Sequence, residues 1–264
     1  MIINSIASGS SGNSTLVCSE GYCILIDLGI SFRKLEAGLR SKGKTVNDIN
    51  SVFVTHGHTD HASGIHTFRN RTNVPVYGTY ETSDIYVDEK GGFGSNQEMG
   101  VELDRFIKEG EEVEIGDLQI SAIRVSHDAR HPVAYTVQNG NKKMAVVTDL
   151  GEGNQLLERR LRECDVIIIE ANHDPVMLEM GPYPELLKRR IKNPRGHLSN
   201  QKTGSILKNV MDEETIVVLA HLSKINNTPQ LAVQTVHEIL RESGFKSNNL
   251  KALIPFNDPM EIRI

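Results

Sequence analysis

His56-Gly57-His58-Thr59-Asp60-His61 puts three histidines and an aspartate within six residues. The run before it, Ser51-Val52-Phe53-Val54-Thr55, is short, apolar and β-branched, which predicts a buried strand. Residues 62–71 after it predict a helix, so the cluster stands where a strand hands over to a helix. Neutral imidazole and carboxylate are ligands for zinc, manganese or iron. Four such groups in one turn exceed what a single tetrahedral ion needs once ligands join from elsewhere, which points to a two-metal site. A solvated loop accounts for one histidine; it does not account for H-x-H-x-D-H after an apolar strand.

Three more residues stand at the ends of apolar runs. They are His127 in Val125-Ser126-His127-Asp128, Asp149 in Val146-Val147-Thr148-Asp149-Leu150-Gly151, and His221 in Val218-Leu219-Ala220-His221-Leu222. A ligand at the carboxyl end of each of several strands is how a sheet gathers distant residues on one rim. With these motifs, in this order, the chain resembles the metallo-β-lactamase-fold hydrolases along nearly its whole length. The resemblance implies an α+β, four-layer αββα sandwich, a single domain over residues 1–264. Periodicity alone gives only mixed α and β.

The bulk numbers are those of an ordinary soluble globular chain: 264 residues, 38% hydrophobic, 24% charged, net charge −5. They give no global pull toward nucleic acid, so a polyanionic substrate needs a local basic patch. Cys18, Cys23 and Cys164 lack C-x-x-C spacing and are expected as buried thiols, in keeping with a reducing, cytoplasmic compartment. Met1-Ile2-Ile3-Asn4 has no basic region leading into a long apolar run, and no stretch approaches 18 apolar residues; neither a signal peptide nor a membrane span is expected.

Along the chain, residues 2–7, 15–18 and 23–27 read as strands. Ser8-Gly9-Ser10-Ser11-Gly12-Asn13-Ser14 between the first two reads as a plain hairpin loop, or as a loop lining the site, with Ser11 and Asn13 near a phosphate. Ser31 is an N-cap for a helix over 32–41, closed by Gly43. Residues 81–87 admit a helix. Gly91-Gly92-Phe93-Gly94-Ser95-Asn96 reads as a surface loop, or as a substrate flap. Hairpins are expected about Gly116-Asp117 and Asn139-Gly140-Asn141. Residues 156–161 are helical, and Val166-Ile167-Ile168-Ile169 is a parallel-type strand leading into Glu170-Ala171-Asn172-His173-Asp174. Residues 184–191 form a basic helix, Ser199 or Asn200 caps the next, 215–220 is a strand, Thr228-Pro229 opens the last helix and 252–254 is the last strand. No repeat or linker is visible.

By resemblance, His56, His58 and His127 hold one divalent ion, Asp60, His61 and His221 hold a second, and Asp149 bridges the two, the ions being zinc or manganese. Such a site acidifies water, so hydroxide is available as a nucleophile near neutral pH. Asp60 counts as catalytic as well as ligating. Glu170, His197 in Gly196-His197-Leu198-Ser199-Asn200, and His221 resemble motifs of the nucleic-acid-processing branch (RNase Z, RNase J and the β-CASP nucleases). Only about twenty residues separate Asp149 from Glu170, so the β-CASP insertion is absent.

The compact bacterial YycJ (WalJ) family is a nearer match, on Ala7-Ser8-Gly9-Ser10-Ser11-Gly12-Asn13, Ser126-His127-Asp128, Asn172-His173-Asp174, Gly181-Pro182-Tyr183-Pro184 and Leu187-Lys188-Arg189-Arg190-Ile191. That implies a cytoplasmic DNA nuclease with 5′-to-3′ exonuclease activity. His197 is then the general acid, oriented by Glu170.

Lys188, Arg189, Arg190, Lys192, Arg195 and Lys202 fall in a stretch free of Asp and Glu. Such a run is a solvated helix face or a phosphate track, and His197 within it favours the track. His173 is a substrate or ligand-orienting candidate; Asp174, before Pro175, is equally a helix cap. His131 reads as a surface imidazole. Three alternatives stay open: a small cyclic phosphodiester as substrate, a ribonuclease, and a non-catalytic metal-binding protein.

Overall fold

Short aliphatic runs separated by Gly, Asn and Asp turns become the strands expected of them. The computed structural model describes residues 1–83, 100–245, 250–252 (backbone only) and 260–264. The 91–96 loop, most of the helix expected over 81–87 and part of the last strand lie outside the described residues.

In chain order, the elements are β1 (Ile2–Ala7), β2 (Ser14–Cys18), β3 (Cys23–Ile26), α1 (Phe32–Ser41), β4 (Ile49–Phe53), α2 (Thr59–Ala62), α3 (Ile65–Arg69), β5 (Val76–Gly78), α4 (Tyr80–Ser83), β6 (Arg105–Phe106), β7 (Glu112–Ile115), β8 (Leu118–Arg124) and β9 (Val133–Asn139). There follow β10 (Lys142–Val147), α5 (Gln155–Leu161), β11 (Val166–Glu170), α6 (Pro175–Met180), α7 (Glu185–Lys192), α8 (Asn200–Val210), β12 (Ile216–Ala220), α9 (Pro229–Glu242), β13 (Leu250–Ala252) and β14 (Glu261–Arg263). The chain divides into two units: Met1–Arg124 with Ala129–Asn141 and Pro259–Ile264, and Val125–Asp128 with Lys142–Asp258.

The first unit is built on a seven-stranded sheet in the order β14-β1-β2-β3-β4-β5-β6. Its β14, β1, β2 and β3 pair antiparallel, while β3, β4, β5 and β6 run parallel. Leu35 and Leu39 of α1 and Ile65 and Phe68 of α3 pack on Leu16, Leu25, Val52 and Val54 of or beside the sheet. Burying such side chains contributes roughly 1.5–3 kcal/mol each. The β7, β8 and β9 strands of this unit pair antiparallel, with Gly116 at φ +62 turning β7 into β8. The second unit carries β10, β11, β12 and β13 in parallel. Its β11, Val-Ile-Ile-Ile-Glu, is buried throughout, as a central parallel strand requires.

Cap chemistry sets the helix starts. Ser31, Ser199 and Thr228 accept hydrogen bonds from Lys34, Lys202 and Leu231 N–H, and Pro229 stands in the first turn of α9. Asp174 accepts from Met177 N–H at 2.9 Å, so it caps α6, a helix that hydrophobic periodicity does not announce.

Two expectations are corrected. The helix expected over 62–71 is broken into α2 and α3, because Gly64 lies against the preceding loop: its N–H donates to Leu28 O at 2.9 Å, and a Cβ there would stand 2.2 Å from Ile30 O. Cys18 and Cys23, expected as thiols, are a disulfide pair, since the β2–β3 register sets them opposite each other across the turn. Cys164 is a buried thiol, its pKa pushed up to about 12 by burial.

Candidate metal centre

Asp27, the residue after β3, begins the first unit's cluster. It sits at φ +62, in the left-handed region that aspartate tolerates better than most residues. Its Oδ1 accepts from Thr55 N–H at 2.8 Å, and its Oδ2 lies 2.7 Å from His61 Nδ1. A buried carboxylate only accepts, so His61 carries its proton on Nδ1 and presents the Nε2 lone pair. The Thr55 hydroxyl likewise donates to Asp27 at 3.0 Å, so it accepts from His56 Nδ1, also at 3.0 Å, which leaves Nε2 as the ligand-type atom of His56.

His56 Nε2 faces His58 Nδ1 at 3.0 Å. Two nitrogens bound to one tetrahedral ion at 2.0–2.1 Å each stand roughly 3.3 Å apart, so this spacing suits a shared cation. The turn holding the motif is gripped by Asn13. Its N–H donates to Asp60 O at 2.7 Å, its amide nitrogen is 2.9 Å from His61 Nε2 and 3.4 Å from Asp60 Oδ2, and its Oδ1 accepts from Gly9 N–H. Asn13 is therefore buried in support of the motif, while Ser11 beside it is exposed. Gly29 is required here, because a Cβ would fall 1.7 Å from Asp60 O.

The second unit repeats the device. Asp149 follows β10 at φ +57 and His221 follows β12 at φ +53, and both are buried. Glu170, at the end of β11, is fully buried. It accepts from Leu150 N–H (3.2 Å), Leu198 N–H (3.1 Å), His197 Nδ1 (2.8 Å) and His221 Nδ1 (2.7 Å). His127 Nδ1 donates to Gly196 O at 3.0 Å, which turns Nε2 to within 3.7 Å of Asp149 Oδ1. Asp149 Oδ1 is also 3.6 Å from His197 Nδ1 and 3.7 Å from His221 Nδ1. Asp149, Glu170, His197 and His221 each offer a ligand-type atom, all within 4.8 Å of one another. His173 is buried, and its Nδ1 has no hydrogen-bond partner among the described residues.

Burial lowers the His127 pKa, partly offset by Asp149, so this imidazole is neutral near pH 7, as a ligand must be. Burial also opposes charge on His197, but the Glu170 carboxylate beside it prevails and raises its pKa. Glu170 itself is pushed up by burial and pulled down further by His197 and the hydrogen bonds it accepts, so it stays ionised. His173, pushed down to about 4 by burial, is neutral.

Of the substrate candidates, the basic helix α7 is largely compensated by carboxylates of its own first turn, of α6 and of the residue after His127. Arg189 pairs with Glu185 at 3.3 Å, Arg190 with Asp128 at 2.5 Å and Lys192 with Glu179 at 2.9 Å, while Lys188 donates to Glu179 O. Arg195 and Lys202 lie beside the cluster instead, donating to His127 O (3.1 Å) and Gly151 O (2.7 Å). His131 is half-buried at φ +42. Sequence reasoning missed Asp27 and Thr55. The signal was present: Asp27-Leu28-Gly29 repeats Asp149-Leu150-Gly151 after an apolar strand.

Ligand-type side chains just past the ends of strands, with imidazole Nδ1 atoms tied back to protein oxygens, define a metallo-β-lactamase-fold protein, a metal-dependent hydrolase of α+β class. The family model described as the β-lactamase superfamily domain matches residues 22–222. Within that superfamily, the chain belongs to the YycJ (WalJ) family. It is 33% identical to the exodeoxyribonuclease YycJ of Bacillus anthracis, over 91% of this chain and 89% of that protein. It is 31% identical to the exodeoxyribonuclease WalJ of Streptococcus pneumoniae, over 88% of this chain and 85% of that protein. Among solved structures, Zn(2+)-bound PqqB from Methylobacterium extorquens shares the fold over all of both chains, with a TM-score of 0.70 at 14% identity. No helix among the described residues is long and apolar enough to cross a membrane.

Proposed function

We propose that this chain is a metal-dependent nuclease, a 5′-to-3′ exonuclease acting on DNA in the cytoplasm. The observation that carries the reading is Glu170, one buried carboxylate accepting from both His197 and His221. A hydrolase that only activates water has no need of a second, more exposed imidazole on the same carboxylate. Cleavage of an alkyl phosphodiester does need one, because the departing alkoxide must be protonated. The exodeoxyribonuclease relatives, similar over most of their length, support DNA as substrate.

His56, His58 and His127 are assigned to one divalent ion, Asp60, His61 and His221 to a second, and Asp149 to both, the ions being zinc or manganese. The anchored Nδ1 atoms and the buried donor set support this assignment. When bound, such ions supply Lewis acidity and an acidified water. The chain's own residues do the rest. Asp27, Thr55 and Glu170 hold the imidazoles in the ligating tautomer. Asn13 fixes the His56–His61 turn. Arg195 and Lys202 draw phosphate toward the cluster, and Lys188, Arg189 and Arg190 extend that track, Arg189 and Arg190 by exchanging their carboxylate partners and Lys188 its backbone carbonyl for phosphates. His197, protonated on the side away from Glu170, gives its proton to the leaving oxygen.

One observation favours a second reading. The compensated basic helix suits a small cyclic phosphodiester as well as a polymer. Digestion of DNA and RNA, each labelled at the 5′ or the 3′ end, beside a cyclic dinucleotide and with and without added zinc or manganese, decides between them. Metal-dependent release of short products from the 5′ end of DNA is expected. Turnover of the cyclic diester alone, or of RNA alone, contradicts the proposal.

A further inference from the structure

The carboxyl edge of the first unit's sheet carries more than metal-type donors. β3, β4, β5 and β6 run parallel, side by side. Asp27 follows β3, the His56–His61 turn follows β4, Tyr80 follows β5 and Phe106 closes β6. In open parallel arrangements, ligands bind at this edge. Here it displays two aromatic rings. Tyr80 is 60% and Phe106 49% exposed, and the rings meet edge to face with centroids 5.3 Å apart. The chain has no tryptophan, and the other exposed aromatic among the described residues, Tyr22, lies over Gly116.

The pair is held from beneath. Thr79 Oγ1 donates to His131 O at 3.2 Å and lies 2.9 Å from Thr82 Oγ1, while Thr82 N–H donates to Thr79 O at 3.0 Å. Glu81 reaches His131 Nδ1 at 3.4 Å. The ladder partner of Phe106 is Gly78, which brings no side chain to the pair. Among the described residues, no flat side chain other than the two rings themselves stacks on this exposed, preoriented pair.

We propose that Tyr80 and Phe106 form a stacking platform for a nucleobase of the substrate strand, beside the phosphodiester that is cut. The proposal rests on the nuclease reading and adds to it the element that holds the base. β4 and β6 are two strand spacings apart, about 10 Å. A base adjoining a phosphodiester at the His56–His61 turn therefore reaches the rings. Every base has a π-face, so the platform grips a strand without reading its sequence, as an exonuclease acting on any sequence requires.

The test uses single-stranded DNA with 2-aminopurine near its 5′ end, a base whose fluorescence is quenched on stacking. Binding to the intact protein quenches it. Tyr80→Ala/Phe106→Ala removes the quenching and raises Kd by about 5- to 100-fold, whereas Tyr80→Phe keeps both. An abasic residue at the same position weakens binding to the intact protein by a similar factor and weakens the double variant no further. Unchanged quenching and affinity in the double variant, or an intact protein indifferent to the abasic strand, overturns the platform. The abasic comparison decides the matter even where the double variant fails to fold. An intact protein that neither binds nor cuts DNA overturns the nuclease reading, and the platform with it.

Discussion

Four imidazoles have Nδ1 tied to a protein oxygen, which frees Nε2 for the proposed ligand role: His56 to Thr55, His61 to Asp27, His127 to Gly196 O and His221 to Glu170. Loss of such an orienting partner weakens metal binding by about 10- to 100-fold. Asp27→Ala is therefore expected to weaken zinc or manganese binding by that factor, read by calorimetric titration; wild-type affinity in the variant contradicts the role. His173 gives a second prediction. Its folded-state pKa of about 4 lies below the ordinary 6.5, so above pH 6.5 folded and unfolded forms bind protons alike. As the pH falls from 6.5 toward 4, the unfolded chain takes up a proton that the folded chain refuses, and stability drops. The loss is on the order of 2–3 kcal/mol by pH 4.5. Urea titrations of metal-free protein at pH 7 and 4.5 should show a shallower acid loss in His173→Gln; identical losses contradict it.

At the scale of elements, the recurring unit is a strand, an aspartate in the left-handed region and a glycine packed against backbone. A Cβ at Gly29 would meet Asp60 O, and one at Gly151 would stand 2.4 Å from both Asn193 O and Pro194 O. Gly151→Ala should cost roughly 1–3 kcal/mol, the usual range for overpacking, and should lower the melting temperature; an unchanged melt means that the loop gives way freely. The strands and capped helices of this architecture were legible because short apolar runs and caps are local. The clustering of His and Asp donors was legible because the motifs sit at strand ends. Asp27 escaped because its one sequence signal, the Asp-Leu-Gly shared with Asp149-Leu150-Gly151, does not name His61 as its partner; only the fold sets the two side by side. The Cys18–Cys23 pairing escaped because it depends on hairpin register, and the acidic partners of α7 because Asp128 and Glu179 lie outside the basic stretch.

For the whole molecule, so many buried imidazoles and carboxylates are tolerable only if paired or bound to cations. A metal that binds only the folded chain stabilises it by about 2.7 kcal/mol at a hundredfold excess over Kd. Chelation should lower the melting temperature, and zinc or manganese should restore it; a melt indifferent to both contradicts a resident metal.

The central claim is that Glu170 serves two histidines with different tasks, one ligating and one donating a proton. The direct measurement compares His197→Ala with His221→Ala in metal content and in turnover of DNA and of a bis-nitrophenyl phosphodiester, whose leaving group needs little protonation. His197→Ala should keep its metal, lose roughly 10²- to 10⁴-fold on DNA, and retain much of its activity on the nitrophenyl ester. His221→Ala should lose metal and both activities. A His197→Ala protein equally crippled on the two substrates, or short of metal, contradicts the division and makes His197 a ligand.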